Sequence, residues 1–559
     1  LTSGCNIIKK KKPMKLKLQE MLDCDVLVIG SGGAGLRSSI AARKNHADVL
    51  LVSKYKVGRA TNTYISKANI AASGWGVPED NKDVHMDDTI KGGRFLNDHS
   101  KVSMITERIG PEITFLTECG VNFGMQEGKP KLTKLAGHHY ARHVHGENWT
   151  GSDLVLPLVQ RAGQMGVRTK DNVFITRLLA SDGHITGAAG ITTDGDFIVI
   201  RAKTVVLATG GYAHIFLNTN NASGITGDGL ARAYELGVAL KDIEFVQFYP
   251  TAMGKLGNKI LLYENLLAQK GVVLKNREGE DIIRKNGITD PTRVTRDQMA
   301  QLIMKEIKDD RTGSQQISMD LGALSEEKAR ELTRLIPSSW WKGEKQFKVA
   351  PTAHFCMGGV VTDKWGETSQ RGLFAVGEVT AGAHGANRLG GNALAEVFSM
   401  GSLVGLKAAE LAMKIAPQQP GQEVADNEIS RLESMFSKQG MPPKELIRDL
   451  KTLMWHKVGI IREKNELEEA LERIQSPWPQ AAVENPCDLI KLSEFNNMRL
   501  IAEMVCIAAI QRTESRGSHY RVDYREENNR QWLKNILFSK GDTGMEVETK
   551  SVPQGLAKS

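Results

Sequence analysis

Residues 25–43 narrow the choice of fold more than any other stretch of the chain. The run DVLVI at 25–29 is short, β-branched and bounded by glycine, the pattern of a strand buried on both faces of a parallel sheet. It leads into Gly30-Ser31-Gly32-Gly33-Ala34-Gly35 and then LRSSIAAR at 36–43, which has helical spacing. A Gly-x-Gly-x-x-Gly between a strand and a helix is a dinucleotide fingerprint. Gly30 allows the tight turn, Gly32 lets backbone approach a pyrophosphate, and Gly35 lets the helix pack on the strand, with the helix N-terminus facing the phosphates.

A second strand, ADVLLV at 47–52, is expected to end near the ribose, where dinucleotide sites usually place an acid. Ser53 and Lys54 stand there instead, which disfavours NAD. The Ser53 hydroxyl can bond a ribose oxygen, and Lys54 can reach a phosphate or the ring edge. Residues 192–202 (TTDGDFIVIRA) alternate as a hairpin does, and TVVLATGG at 204–211 reads as a further strand ending at glycine. A strand ending in Ala-Thr-Gly-Gly, here with Gly210, is the usual second crossing past an FAD in flavoproteins with two dinucleotide folds. Asp228, in Thr226-Gly227-Asp228-Gly229, opens a helix as an N-cap or a cofactor contact, and the two readings are compatible.

The chain has 559 residues, enough for about three or four domains or one large enzyme with insertions. With 41% hydrophobic and 25% charged residues it reads as a globular protein, not a disordered, collagen-like or coiled-coil one. No run of 18 apolar residues suggests a transmembrane helix. The net charge of +8 is uneven: six lysines and Glu20 give the first twenty residues +5, leaving +3 for the rest. Residues 1–22 therefore read as a basic, disordered leader ahead of or around a start at Met14, and nucleic acid is not an expected partner. The six cysteines, at 5, 24, 119, 356, 487 and 506, form no Cys-x-x-Cys pair. Local spacing thus encodes no zinc or iron–sulfur site and no disulfide framework, which fits a reducing cytoplasm.

Three later segments, 244–251 (EFVQFYPT), 354–360 (HFCMGGV) and 372–394 (GLFAVGEVTAGAHGANRLGGNAL), together with 512–523 (RTESRGSHYRVD), resemble the flavoprotein subunits of succinate dehydrogenase and fumarate reductase, a family that includes L-aspartate oxidase. The resemblance runs from about residue 23 to about 540 and keeps the motif order. It implies an α/β fold: a doubly wound FAD-binding domain (23–245 and 348–412) interrupted by an α+β capping domain (246–347). A C-terminal helical domain and tail (422–559) follow a linker at 417–421 (PQQPG). It also implies an iron–sulfur partner subunit, and a location in the cytoplasm or at the cytoplasmic face of a membrane through partners.

The family's reaction is a trans hydrogen transfer across a carbon–carbon bond beside a carboxylate, with hydride at flavin N5 and a proton on the opposite face. By resemblance, Arg296 in Thr295-Arg296-Asp297 is the proton shuttle and Glu264 its relay. An arginine is a poor acid, so this role needs neighbours and a dry site. His354 and Arg388 are expected to clamp one substrate carboxylate, with Tyr249 and Thr251 serving the other. Cofactor contacts carry over onto Gly30, Gly32, Gly33, Gly35, Ser53, Lys54, Asn62, Thr63, Ser66, Gly210, Asp228, Glu378, Ala393 and Leu394. The backbone of 391–394 is expected to close over the flavin ring and to open a helix whose positive end favours a reduced, anionic flavin.

Departures from the pattern bear on the substrate. The family's His-Pro-Thr is Tyr249-Pro250-Thr251 here, and a phenol cannot become a cation near neutral pH. Fumarate and succinate remain possible, and a related unsaturated acid becomes more so. Asn62 stands where succinate dehydrogenases attach FAD through a histidine, so a dissociable FAD of lowered potential is expected, and Lys67-Ala68-Asn69 replaces a common Gln-Gly-Gly. Leu135 stands where L-aspartate oxidase has a glutamate, which argues against an amino-acid substrate. His138, His139, His143 and His145 cluster like metal ligands, but no acid or cysteine supports the spacing, and no metal is expected. The alternatives to a fumarate/succinate enzyme are L-aspartate oxidase and an electron-relay flavin subunit of a larger complex.

Overall fold

The computed structural model describes residues 16–126, 129–253, 260–262, 271–290, 294–309, 316–332, 345–416 and 422–552. Residues 1–15, Glu264, the linker 417–421 and the tail 553–559 lie outside them. The strand Lys17–Ile29 pairs in parallel with Val49–Val52 on one side and Asp196–Leu207 on the other. Arg168–Lys170 extends the sheet beyond Val49–Val52, and Leu373–Ala375 pairs with Val205 to Leu207. Val26, Leu27 and Val28 are wholly buried because helices cover the sheet, among them Gly33–Lys44 packed against Asn392–Ala412. The expected hairpin is present and longer than its sequence signal. Asp196–Leu207 pairs antiparallel with His184–Thr192, which pairs with Val173–Ser181.

The leader reading of 1–22 is corrected at its C-terminal end. The first strand starts at Lys17, in register with Asp196, and Leu16 is buried against Phe174 and Phe197. Its side chains alternate, with Lys17 and Met21 exposed and Leu18 and Leu22 packed on core. The density of lysines hid an amphipathic strand.

The cap is an antiparallel sheet in the order Ile260–Leu261, Val246–Met253, Gln346–Cys356, Ile317–Asp320, Val273–Lys275, with helix Arg296–Asp309 against it. It has its own core, including Ile282, Met299, Ile303, Met319 and Phe347. The expected boundary at 347/348 falls inside Gln346–Cys356, an unbroken strand whose first half sits in the cap core and whose last residues reach the central cavity. Opposite it, the register slips between Tyr249 and Ala252 around Pro250, which has no N–H to give the ladder.

Helices Pro443–Val458 and Lys464–Gln475 pack on Pro486–Gln511 and share one core with the FAD-side sheet. The C-terminal region is not helical throughout: a hairpin, Lys534–Gly541 with Gly544–Ser551, adds to Leu240–Lys241. Its alternation is weakly apolar on one face, so composition hid it. The 512–523 motif pins this region to the site. The guanidinium of Arg512, fully buried, donates to Glu244 (2.7 Å) and Glu514 (3.1 Å), and Ser518 N donates to the Ala386 carbonyl (3.0 Å). Two cavity-bearing segments, 244–251 and 384–388, are thereby tied to the C-terminal region.

Candidate functional site

A cavity of about 580 Å³ opens at the C-terminal ends of the parallel strands and runs from the glycine turn to the cap. This is where open α/β sheets bind ligands. The turn is built for close approach. Gly30 has φ +109°, and a Cβ there would lie 2.3 Å from the Ala208 carbonyl oxygen. A Cβ on Gly35 would lie 1.8 Å from the Gly30 oxygen, and one on Gly33 2.8 Å from Val397. At Gly32 the nearest atom would be 3.5 Å away, so protein packing does not demand glycine there, and approach of a ligand does. Long, walled by these glycines and open to a helix N-terminus, the cavity fits a dinucleotide.

At the ribose end, the Ser53 hydroxyl lies 2.7 Å from that of Ser31. Lys54 lines the cavity with its ammonium held by protein partners. Its ammonium donates to Asp228 (2.8 Å) and Thr226 (3.0 Å) and pairs with Glu494, and these carboxylates raise its pKa against the effect of burial. Asp228 is corrected on one point: Gly227, at φ +79°, caps the helix Asp228–Glu235, and the Asp228 carboxylate accepts from Lys54, Thr226 and Asn497 (2.8 Å). Glu494 and Asn497 come from Pro486–Gln511, about 270 positions away, and nothing local signalled them.

Further along, Thr63 accepts from Gly33 N (3.1 Å), and Ser66 donates to the Thr63 carbonyl (2.8 Å). Asn62 donates to Asn221 (2.5 Å) and Glu378 (3.0 Å) and accepts from Ala222 N (3.0 Å). Burial lifts the Glu378 carboxyl to about 7 against the pull of Asn62 and Cys356 N. Gly210, at φ +76°, with Ala393 and Leu394 of the first turn of Asn392–Ala412, completes this wall.

The histidine cluster holds that turn in place. His138 and His143 each place Nε2 3.0 Å from the Gly390 carbonyl, and His139 pairs with Asp88. His85, outside the cluster, donates from Nε2 to Asn392 (2.9 Å). Burial lowers the His85 pKa to about 3. The fold therefore holds His85 neutral, while the unfolded chain takes up a proton below pH 6.5. Stability is complete above that pH and is lost as pH falls towards 3. The parent is expected to lose about 1.4 kcal/mol per pH unit more than His85→Gln across pH 6 to 4. Denaturant melts at each pH check this, and equal slopes would contradict it.

Arg296, His354, Arg388 and Tyr249 all line the cap end of the cavity. The Arg296 guanidinium lies 5.3 Å from the centre of the Tyr249 ring, which meets His354 edge-on at 5.5 Å. His354 donates from Nδ1 to Asn220 (3.1 Å), and burial followed by the charges of Arg388, Arg296 and Lys67 holds it well below its usual pKa. Arg388 packs over Phe355 and donates to Gln247 (2.8 Å) and the Leu389 carbonyl (3.2 Å). Gln247 returns bonds to the Arg388 carbonyl and to Asn387 (2.8 Å each), so it fixes this arginine from both ends. It stands inside the 244–251 motif, which was the available signal. Thr251 departs from expectation: fully buried and absent from the cavity wall, it donates to the Leu262 carbonyl (2.7 Å) and secures the cap. Leu135 presents an apolar surface to the cavity.

Comparison with known proteins gives the family. Residues 25–394 match the FAD binding domain model, and residues 447–556 the fumarate reductase flavoprotein C-terminal model. The chain is 35% identical to a fumarate reductase (CoM/CoB) subunit of Methanothermobacter marburgensis over 542 residues, covering 93% of this chain and 98% of that one. It is 30% identical to the fumarate reductase flavoprotein subunit of Escherichia coli, covering 95% and 94%. Among solved structures, E. coli quinol fumarate reductase FrdA superposes with a TM-score of 0.87 at 27% identity (97% and 98% covered). Mycobacterium smegmatis Sdh1 does so with 0.84 at 31% (96% and 95%). The chain belongs to the fumarate reductase and succinate dehydrogenase family of FAD-binding flavoproteins.

Proposed function

We propose that this chain is a catalytic flavoprotein subunit that interconverts fumarate and succinate. The observation that carries the reading is the convergence of Arg296, Arg388, His354 and Tyr249 at one end of a dinucleotide-sized cavity. Bound FAD supplies the two-electron chemistry, giving or taking a hydride at N5. Gly30 to Gly35, Ser53, Asn62, Thr63, Ser66, Gly210, Glu378, Ala393 and Leu394 would hold it. Arg388, fixed by Gln247, and His354 bind one carboxylate. An anion placed there offsets the positive charges that, after burial, keep His354 neutral, so substrate entry favours a second donor on the imidazole. Arg296 gives or takes the proton at the carbon on the other face. It opens the helix Arg296–Asp309 and lines the cavity beside the Tyr249 ring. Glu264 would restore the proton.

Leu135 lines the cavity where an amino-acid substrate would need an acid, so aspartate oxidation is not the favoured chemistry. The electron donor is read as a partner subunit bearing iron–sulfur centres, which would place the chain in the cytoplasm or at the cytoplasmic face of a membrane. No helix among the described residues is long and apolar enough to cross a membrane.

FAD is held without a covalent bond in this reading, because the amide of Asn62 replaces the attaching ring. Acid denaturation followed by filtration is expected to put all flavin in the filtrate, and retained flavin would contradict the assignment of Asn62. The reaction itself is tested by steady-state fumarate reduction with a reduced viologen dye, against a panel of other enoates. No turnover at millimolar fumarate with flavin bound would overturn it. Preference for another enoate would move the substrate, as Tyr249 allows.

A further inference from the structure

The segment 218–221 grips the strand around His354 and has no part in the mechanism above. The Asn218 carbonyl accepts from Ala353 N (2.9 Å), and the Ala353 carbonyl accepts from Asn220 N (3.2 Å), the Thr219 hydroxyl (3.0 Å) and the Asn221 amide (3.0 Å). Asn221 also donates to the His354 carbonyl (3.2 Å). The backbone on both sides of the imidazole is thereby fixed, and Asn220 and His354, both half-buried, line the cavity together. Asn220 Oδ1 faces His354 Nδ1 at 3.1 Å. Arg388, Arg296 and Lys67 bear on the ring as positive charges, and Tyr249 meets it edge-on. An amide adds no charge to that field, so Asn220 acts on the ring through its N–H alone.

We infer that Asn220 is a positioning residue for substrate binding: its amide oxygen engages the single N–H of the neutral His354 ring at Nδ1, so that a substrate carboxylate at Nε2 binds together with a proton. The inference rests on the reading of His354 as a carboxylate ligand given above. A neutral imidazole carries one N–H, and an amide oxygen only accepts, so a ring bonded to Asn220 offers a ligand the lone pair of Nε2. A carboxylate oxygen also offers only lone pairs. The two repel until a proton from solvent joins Nε2, and the ring then donates from both nitrogens, to Asn220 and to the ligand. Burial and the three cations oppose that proton in the free protein, and an anion in contact favours it. Affinity is therefore full below the ring's pKa in the free protein and falls as pH rises through its higher pKa in the complex.

The test uses FAD-loaded protein with Asn220→Asp, which places an anion at Nδ1, and Asn220→Leu, which is of similar shape and accepts nothing. Succinate is titrated from pH 6 to 8, with binding followed by the flavin spectrum and proton uptake by an indicator dye in weakly buffered solution. The parent is expected to take up protons as succinate binds, and its Kd to rise with pH by up to about tenfold per unit. In Asn220→Asp the free ring is already charged, so uptake shrinks and the rise in Kd moves up by about one to three pH units. In Asn220→Leu the neutral ring can carry its proton at Nε2, so the uptake due to His354 is lost and the Kd profile flattens. Glu378, which accepts from Cys356 N (3.1 Å) and is lifted to about 7, contributes alike to all three proteins, as does succinate itself. A role in shape alone would weaken binding equally at every pH, so equal uptake and parallel Kd profiles in all three proteins would overturn the inference. The titration needs no turnover. Uptake that differs among the three as expected, without fumarate reduction, would sink the proposed reaction and uphold the role of Asn220, and turnover with parallel profiles would do the reverse. If the parent does not bind succinate, both fall.

Discussion

Replacing Arg296 with methionine is expected to lower kcat for fumarate reduction by about 100- to 10,000-fold, the range for loss of a positioned proton donor. FAD content and succinate affinity should change far less. The reasoning is geometric. Arg296 opens the helix Arg296–Asp309, faces the Tyr249 ring at 5.3 Å, and lines the same cavity end as His354 and Arg388. Carboxylate binding is shared among several donors, so losing one weakens it modestly. Proton transfer has one carrier here, so its loss falls on kcat. Anaerobic steady-state kinetics with flavin quantified in each preparation make the comparison. Arg296→Lys separates this account from an electron-relay role: a lysine cannot occupy the guanidinium's position, and unimpaired complex activity would favour the relay.

Gly35→Ala is expected to abolish FAD loading and to destabilise the fold by at least about 1–3 kcal/mol, as overpacking does. The added Cβ would lie 1.8 Å from the Gly30 oxygen, a backbone atom in the turn that the phosphates would approach. Relief requires moving the helix Gly33–Lys44 off the strand, and that opens the cavity wall. Gly110→Ala is the matched control. Gly110 lies within the helix His99–Glu118, and a Cβ there meets nothing within 4 Å. That variant should keep its flavin and change stability little, because the strain of a Cβ just before Pro111 offsets alanine's helix propensity. Flavin-to-protein ratio and thermal melts distinguish the two, and normal FAD loading by Gly35→Ala would refute the cradle.

What the sequence made legible was local or motif-bound. The glycine turn could be read because strand, turn and helix lie within twenty residues and each leaves its own periodicity. Arg296, His354 and Arg388 could be paired only through family motifs, since the cap sheet and the helix Arg296–Asp309 bring them together in space. The ion pairs of Lys54 could not be foreseen, because its partners, Asp228 and Glu494, lie 174 and 440 positions away and answer to no spacing rule. Thr251 was carried over from the family's capping motif, and here its hydroxyl turns to the Leu262 carbonyl beside the slip in register around Pro250. The strand from Lys17 and the C-terminal hairpin were missed for a shared reason: both alternate between core and water, and charge at the outward positions obscures the period of two.

The most direct measurement is a single turnover. Holoprotein reduced by one equivalent of dithionite is mixed anaerobically with fumarate, and flavin absorbance and products are followed together. Reoxidation of the flavin with one succinate formed per FAD is the expected result. Flavin that stays reduced in fumarate, yet is reoxidised at once by ferricyanide, would contradict the assignment of this cavity to fumarate chemistry.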